Sequence, residues 1–224
     1  VPGTFHKVID IRQCLLQPAL GNQLMADVRT FVRSSDKPVY GLRSHIGFWR
    51  FLVLRHSVAH DHWMVNIVTA EDSRRTVQPL ADRLMDRYPE VVSVINNITS
   101  RKAGVAVGEV EHTLAGCDVI TDKIAGFEFE ISANSFFQTN SRGAGSLFNI
   151  VAEYAGLTGT ETVLDLYSGT GTIPILLSGH CKSVTGVEIV ESAVADAVKN
   201  CRKNSISNCR FIKGDIRQCL SQIT

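Results

Sequence analysis

The stretch that decides the fold is Val163-Leu-Asp-Leu-Tyr-Ser-Gly-Thr-Gly-Thr172, which is followed by Val184-Thr-Gly-Val-Glu188. Its pattern predicts a short buried strand, a glycine turn and the start of a helix, and then a second strand that ends in a carboxylate. Glycines in such a turn let the backbone pass close to a nucleotide-like ligand. A carboxylate after the second strand can accept hydrogen bonds from both hydroxyls of a ribose. The pattern therefore predicts a nucleotide-type site at the carboxyl ends of parallel strands.

The residues around the glycines favour one class of cofactor. A phosphate-binding loop would carry Gly-Lys-Ser/Thr after the glycines, and a dinucleotide site would carry a third glycine where Pro174 stands. S-Adenosylmethionine requires neither motif, because it has no pyrophosphate. We therefore expect S-adenosylmethionine, with its ammonium near Asp165, its ribose on Glu188 and its adenine near Asp215.

Several residues of this predicted site also have a purely structural interpretation. Gly169 and Gly171 are compatible with a simple tight turn, and Glu188 with an acid at a helix N-terminus. Asp215 is compatible with the N-cap of the following helix, and Tyr167 with an ordinary strand aromatic. The ordered placement of the acids and glycines at predicted strand ends favours the cofactor site.

Length, composition and charge bound the other possibilities. The chain has 224 residues, 44% of them hydrophobic, which is enough for two domains, and a formal net charge of +1. The near-neutral charge weakens the case for a nucleic-acid partner but does not exclude one, because a local basic patch is sufficient for binding. We find no apolar run of membrane-spanning length and no signal peptide. Since the first residue is Val1, we expect the N-terminus to be a cut or a gap.

The six cysteines are spread along the chain with no Cys-x-x-Cys spacing, so a zinc knuckle is not expected and the metal-site prediction is none. Scattered thiols of this kind are typical of a reducing compartment, and we expect a cytoplasmic protein.

The two halves of the chain differ in pattern. Residues 1–133 predict a mixed α+β domain on an antiparallel sheet, and residues 134–224 predict the N-terminal part of a Rossmann-like α/β domain, in which strands alternate with helices. Since three parallel strands leave an edge unpaired, we expect the natural protein to continue beyond Thr224. The predicted elements are a hairpin of Phe48–Val58 and Trp63–Thr69, helices over Pro18–Val32, Ser73–Tyr88, Ser141–Ala155 and Glu191–Asn204, and strands over Val91–Ile95, Ile124–Ser132, Thr162–Leu166, Ser183–Val187 and Arg210–Lys213.

The segment Ile131-Ser-Ala-Asn-Ser-Phe-Phe-Gln-Thr-Asn140, the glycine stretch after it and Gly186-Val-Glu188 together resemble the RNA uracil-5-methyltransferases. These enzymes make 5-methyluridine in transfer or ribosomal RNA. Upstream, Val8–Cys14, the Arg55-His56 pair and Val94–Asn97 also resemble the central domain of that family. The resemblance covers nearly the whole chain.

The resemblance implies further site residues. Gln138 resembles the family glutamine that contacts the cofactor from outside the Rossmann-like core, and Phe136 and Phe137 lie where the family brings aromatic surface to the target base. Core packing is the alternative for both phenylalanines. The full expected set of cofactor-binding residues is Gln138, Asp165, Tyr167, Gly169, Gly171, Glu188 and Asp215.

The chain also departs from the family pattern. The family's cysteine nucleophile, its glutamate base and its Asp-Pro-Pro-Arg motif follow a fourth strand, so we expect no catalytic residue in this chain. The usual N-terminal RNA-binding barrel has no counterpart either. Cys14 resembles the last of four iron–sulfur ligands in some members, but its three partners would precede Val1. A single cysteine holds no cluster, so a cluster is left open for the intact protein only.

The resemblance implies methyl transfer from S-adenosylmethionine to carbon 5 of a uridine in tRNA or rRNA, by a monomer whose partner is RNA. It implies that a thiolate adds to carbon 6, carbon 5 takes the methyl group, and a base then removes the carbon 5 proton. Two alternatives remain: a non-catalytic RNA-binding relative, and a methyltransferase with another substrate.

Overall fold

The computed structural model describes residues 9–223, with side chains as far as Leu220, so Val8 of the Val8–Cys14 segment lies outside the described residues. The chain forms two compact units. The first contains residues up to Arg55 together with Trp63–Asp118, and the second contains His56–His62 together with the residues from Val119 onward. The domain boundary predicted between residues 133 and 134 stays a prediction.

The first unit combines a four-stranded sheet with two helices. The strands lie in the order β1-β2-β3-β4. Its elements are α1 (Ala19–Ser34), β1 (Trp49–Ser57), β2 (His62–Thr69), α2 (Arg74–Arg87), β3 (Val91–Ile98) and β4 (Val110–Gly116). One side of α2 carries Val77, Leu80 and Leu84 at helical spacing, and all three are fully buried in the core of this unit.

The prediction of an antiparallel sheet is wrong for one pair of strands. β2 pairs with β3 in parallel, whereas β3 pairs with β4 antiparallel. The helix α2 is the cause, because it carries the chain back along the sheet before β3 begins, and such a crossover makes consecutive strands parallel. The sheet is therefore mixed.

The second unit confirms the predicted α/β fold. Three parallel strands lie in the order β7-β8-β9, with helices between them, and a separate two-stranded hairpin precedes them. The elements are β5 (Val119–Ile124), β6 (Phe127–Ser132), α3 (Ser141–Ala155), β7 (Thr162–Leu166), α4 (Thr172–Leu177), β8 (Ser183–Glu188), α5 (Glu191–Lys203), β9 (Cys209–Lys213) and α6 (Ile216–Ile223).

The single strand predicted over Ile124–Ser132 is in fact the second half of a hairpin. Ala125 and Gly126 form the turn between β5 and β6, with φ angles of 49° and 87°. Left-handed conformations at both central positions suit a tight hairpin turn. The alternation in this segment predicts Phe127, Phe129 and Ile131 on one face of the strand; Phe129 and Ile131 are buried, and Phe127, next to the turn, is half-buried.

The outer edge of β6 is bound by side chains of α5. We call Asp196, Asn200 and Asn204 the polar ladder. Four residues of a helix rise by about 6 Å and two residues of a strand by about 6.6–6.8 Å, so side chains four apart on α5 meet every second residue of β6. A covering helix also prevents an exposed strand edge from pairing with another chain. The strand residues bound through their amides are Glu128, Glu130 and Ser132.

Asn200 is the central residue of the polar ladder and is fully buried. Its Oδ1 accepts the Glu130 amide at 2.7 Å, and its Nδ2 donates to the Glu130 carbonyl at 3.2 Å. The same Nδ2 donates to the carbonyl of Thr170 at 3.1 Å. Because Thr170 lies between Gly169 and Gly171, one side chain fixes both the hairpin and the glycine turn.

We expect Asn200→Ala to lower the free energy of unfolding by about 1–3 kcal/mol or more, because it leaves buried backbone groups without a partner. Urea unfolding followed by circular dichroism measures the change. Lys199→Ala, at the exposed neighbouring position of α5, is the matched control and should differ from wild type by less than about 0.5 kcal/mol. Equal losses in the two variants would contradict the role of Asn200.

Candidate functional site

A cavity of about 410 Å³ lies at the carboxyl ends of the parallel strands in the second unit. Ligand sites typically occupy about 300–1,000 Å³, and open α/β sheets place them at this edge. The cavity contains three of the predicted residues, Tyr167, Glu188 and Asp215. The full lining is Tyr167, Val187, Glu188, Ile189, Gly214, Asp215, Ile216 and Arg217.

Glu188 ends β8 and is fixed by two backbone amides. Its Oε2 accepts the Gly169 amide at 3.0 Å, and its Oε1 accepts the Val190 amide at 2.8 Å. Each carboxylate oxygen can accept a further hydrogen bond. The carboxylate is therefore held in one orientation at the cavity while it keeps acceptor capacity for a ligand.

The two glycines of the turn have different roles. Gly169 has a φ of 53°, and a Cβ built on it would meet no atom within 4 Å, so this part of the turn faces open space. Gly171 has a φ of 82°, and a Cβ there would lie 2.9 Å from the Phe211 ring and 3.0 Å from Ala197. The restriction at Gly171 thus comes from its left-handed backbone and from helix–strand packing, whereas the sequence prediction attributed it to a ligand.

Gly186, in the middle of β8, belongs to the same packing contact. A Cβ on it would lie 2.7 Å from Ser168 and 2.8 Å from Phe211. The ring of Phe211 therefore occupies the space that two glycines leave open.

Tyr167 follows the last residue of β7 and has a φ of 93°, which is rare for a residue with a side chain. Its amide donates to the Val187 carbonyl at 2.9 Å, which holds this backbone conformation. The ring is 81% exposed and lines the cavity. Tyr167 is therefore not an ordinary strand aromatic, and strained residues of this kind cluster at ligand sites.

Asp165 lies in β7 and carries the most perturbed carboxyl group of the site. Burial, followed by repulsion from Glu188, raises the pKa of Asp165 to about 6. Its Oδ2 is buried and makes no hydrogen bond to any described residue. A half-buried acid with one unpaired oxygen, beside a second acid, favours a positively charged ligand group.

Asp215 combines the two interpretations that the sequence leaves open. Its Oδ1 accepts the Arg217 amide at 2.8 Å, and its carbonyl accepts the amides of Gln218 and Cys219, so it caps α6. The same residue lines the cavity next to Ile216.

The segment between β6 and α3 alternates in exposure. Phe136 is 71% exposed, Phe137 is buried, and Gln138 is exposed. The ring of Phe137 packs 5.7 Å from that of Phe129. Core packing is thus correct for Phe137, and its predicted RNA-facing position is wrong because the alternation turns its ring inward. Phe136 and Gln138 share the outer side, and Gln138 is not among the cavity-lining residues.

Sequence reasoning missed several lining residues, notably Ile189, Ile216 and Arg217. Ile189 directly follows Glu188, and Ile216 and Arg217 directly follow Asp215. Both acids were predicted to lie at strand ends. The signal was therefore positional, since the first residues after a strand line the same edge as the acid that ends it.

Cys14 is tied to α1 through its backbone. The Asn22 Oδ1 accepts the Cys14 amide at 2.8 Å, and the Asn22 Nδ2 donates to the Cys14 carbonyl at 3.1 Å. Within residues 9–223, no group of three or more His, Cys, Asp or Glu side chains is placed to hold a metal ion. Over the same described part of the chain, no helix has the length and apolar character that a membrane span needs.

Comparison with known families agrees with this geometry. Residues 157–223, which contain the parallel strands and the cavity, match the family described as "Methyltransferase domain". This region has a Rossmann-like methyltransferase fold.

Similar proteins are found over most of the chain. An uncharacterized RNA methyltransferase of Chlorobaculum tepidum is 41% identical over 217 residues, which are 96% of this chain and 45% of that protein. Another from Geobacter sulfurreducens is 36% identical, over 97% of this chain and 44% of the relative. The chain thus spans about half the length of these curated relatives.

A solved structure is similar as well. It is the tRNA (uracil-54, C5)-methyltransferase of Pyrococcus abyssi in complex with S-adenosyl-L-homocysteine. The two are 28% identical with a TM-score of 0.75, and the similarity covers 94% of this chain and 50% of the other.

We expect Asp165→Asn to stabilise the ligand-free protein at neutral pH. The folded pKa of about 6 exceeds the ordinary 3.8, so the ionised carboxyl is disfavoured in the folded state. Wild type should therefore lose stability as the pH rises from about 4 to above 6, by on the order of 1 kcal/mol, because solvent screens part of the charge on this half-buried group. The variant should not show that loss, and urea unfolding at pH 4.5 and 7.5 compares the two. Parallel pH profiles would contradict the burial of this charge.

Proposed function

We propose that this protein transfers a methyl group from S-adenosylmethionine to RNA, and that the acceptor is carbon 5 of a uridine in tRNA or rRNA. The observation that carries the proposal is the cavity at the parallel-strand edge, in which an oriented Glu188 lies beside a strained Tyr167. The similarity to the Pyrococcus abyssi enzyme, over nearly the whole chain, supports uridine as the target.

The residues at the cavity, together with Asp165 in β7, which is not among the lining residues, fit the proposed cofactor. The free lone pairs of Glu188 suit two ribose hydroxyls, and the unpaired Asp165 Oδ2 suits an ammonium group. Asp215 uses Oδ1 for capping, which leaves Oδ2 to accept from an adenine amino group. The exposed ring of Tyr167 offers an apolar face at the same cavity. Bound here, S-adenosylmethionine would supply an electrophilic methyl group on its sulfonium.

A ligand ammonium at Asp165 also implies a pH dependence of binding. The cation favours the ionised carboxyl, whereas the free protein holds this group at a pKa of about 6. The affinity for the cofactor should accordingly rise between pH 5 and pH 7. At the higher pH the Asp165 carboxyl is already ionised in the free protein, so binding no longer requires it to lose a proton.

The outward face of the segment before α3 suits an unstacked base. Phe136 presents an exposed aromatic ring, and stacking of one base on an aromatic ring contributes about 1–3 kcal/mol. Removing a base from its stack costs a few kcal/mol, and RNA loops lower that cost. We infer that Phe136 contacts the target base, and that Gln138, on the same side, reaches the cofactor.

We assign this chain the cofactor half of the reaction only. Uracil carbon 5 needs a thiolate at carbon 6 to become nucleophilic, and a reactive cysteine requires a lowered pKa and access. Burial raises the pKa of Cys181. The hydrogen bond between Cys201 and Cys209 raises the pKa of Cys209 and lowers that of Cys201, but Cys201 is buried and therefore lacks access. Cys219 is buried. A monomeric state, a cytoplasmic location and an iron–sulfur cluster in the intact protein remain predictions.

We expect Glu188→Gln to weaken the binding of S-adenosylhomocysteine by about 1.5–3 kcal/mol, because charge-assisted hydrogen bonds to the ribose are lost. Isothermal titration calorimetry on the full-length protein measures this. Glu191→Gln is the matched control, since Glu191 pairs with Lys213 at 2.6 Å and does not line the cavity. If wild type and Glu188→Gln have the same dissociation constant, the assignment of the ribose to this carboxylate is wrong.

Gln138→Ala tests the contact inferred for the outer segment. We expect it to weaken cofactor binding by about 1–3 kcal/mol, the cost of leaving a buried partner unpaired in the complex. Its melting temperature should be that of wild type, because Gln138 is exposed in the structure. Thr139→Ala, at the exposed next position, is the control. If both variants bind like wild type, Gln138 is a loop residue without a role at the site.

A further inference from the structure

Arg50, in β1 of the first unit, holds a loop by its backbone. Its guanidinium donates to three carbonyl oxygens: those of Thr99 at 2.9 Å, Arg101 at 2.6 Å and Ala103 at 3.0 Å. An arginine fork can bind several acceptors at once because its donors are rigidly arranged. We call residues 99–104 the stapled loop.

The staple determines which backbone groups the loop shows to solvent. In a trans peptide the carbonyl of one residue and the amide of the next point in opposite directions, and the described residues contain no cis peptide. With alternate carbonyls turned toward Arg50, the amides of Ser100, Lys102 and Gly104 are turned away from it. The Ser100 amide accordingly donates to Glu109 at 2.8 Å, while Lys102 and Gly104 are exposed.

Arg50 also contacts a second loop. Its guanidinium lies 4.2 Å from the ring centre of Tyr40, and the Tyr40 hydroxyl is 3.3 Å from the His45 Nδ1. Between these two residues, Arg43 is exposed. Arg50 thus draws together two loops that both carry cationic side chains.

The two loops carry three exposed cationic side chains, although the whole chain is nearly neutral. Arg101 and Lys102 stand on the stapled loop and Arg43 on the other. The nearby acid, Glu109, already accepts from the Ser100 hydroxyl and pairs with Arg101 at 3.2 Å. Outward amides beside cationic side chains make a site for oxyanions, and the phosphate groups of a nucleic acid are bound by such groups.

We propose that the stapled loop binds the phosphate backbone of the RNA substrate, through the Lys102 side chain and the outward amides of Lys102 and Gly104, and that Arg50 is its positioning residue. This proposal rests on the proposed function for the identity of the partner. The contact lies in the first unit and involves none of the residues of the cofactor cavity. Phosphate contacts carry no sequence information, so this surface would set affinity and register while the choice of base is made elsewhere.

The salt dependence of RNA binding tests the surface directly. Each cationic contact to a single-stranded phosphate adds about 0.7 to the slope of log affinity against log salt. In the full-length protein, Lys102→Gln should reduce that slope by about 0.7 and weaken binding about fivefold at 0.1 M salt. The probe is a fluorescent single-stranded RNA of mixed sequence, followed by anisotropy.

Two further variants separate position from charge. Lys182→Gln removes the same charge from an exposed residue just before β8, at the edge of the parallel sheet opposite the cavity, and should leave the slope unchanged. Arg50→Lys keeps the charge but cannot hold three carbonyls. We expect it to weaken RNA binding about two- to tenfold at an unchanged salt slope, the effect of losing amide hydrogen bonds.

The outcomes distinguish this surface from the proposed function. If Lys102→Gln and Lys182→Gln have the same effect, or neither has one, the stapled loop is not a phosphate site. If polyglutamate competes as well as unlabelled RNA, the partner is an acidic protein and the proposal is overturned. Titration with S-adenosylhomocysteine tests the cofactor cavity separately. If S-adenosylhomocysteine does not bind but Lys102→Gln still lowers the salt slope relative to Lys182→Gln, the proposed methyl transfer is rejected and the RNA-binding surface is retained.

Discussion

The hydrogen bonds of Asn200 are the interaction on which the second unit depends. One buried amide satisfies the edge of β6 and the carbonyl of Thr170 in the glycine turn. Since a buried backbone group without a partner costs free energy, the hairpin and the turn can keep their positions only together. Asp196 extends the same device, because its carboxylate accepts the hydroxyls of Ser132 and Ser135 at the start of the segment that carries Phe136.

In the candidate site, by contrast, not every polar group has a hydrogen-bond partner. Glu188 is satisfied by two amides, whereas the neighbouring Asp165 has a buried oxygen that bonds no described residue. Tyr167 adds an unfavourable backbone conformation at the same edge. Two neighbouring residues, Asp165 and Tyr167, thus lower the stability of the folded chain at this edge. A rigid framework tolerates such a site because the stability comes from the core and the polar ladder.

The sequence predicted the parallel half nearly to the residue, because strand, glycine turn and acid recur there at short range. The bounds of α3 and β7 are confirmed, and Glu188 and Asp215 do lie at one cavity. Long-range features were missed. The parallel pairing of β2 with β3 depends on where α2 returns the chain, and the burial of Phe137 depends on the distant Phe129. A local pattern contains neither piece of information.

Phe211 and its two facing glycines also constrain how the sequence can diverge. The ring fits only while Gly171 and Gly186 both lack a Cβ, and without the ring both glycines would border an empty space. A larger residue at Gly186 is therefore unfavourable by itself and becomes acceptable only with a compensating loss of volume at Phe211 and Ser168, whereas Gly171 is restricted further by its φ of 82°. Drift in this protein should consequently move Gly186, Phe211 and Ser168 as a set while Gly171 stays glycine, and a variant library that samples these positions one at a time would misjudge which combinations fold.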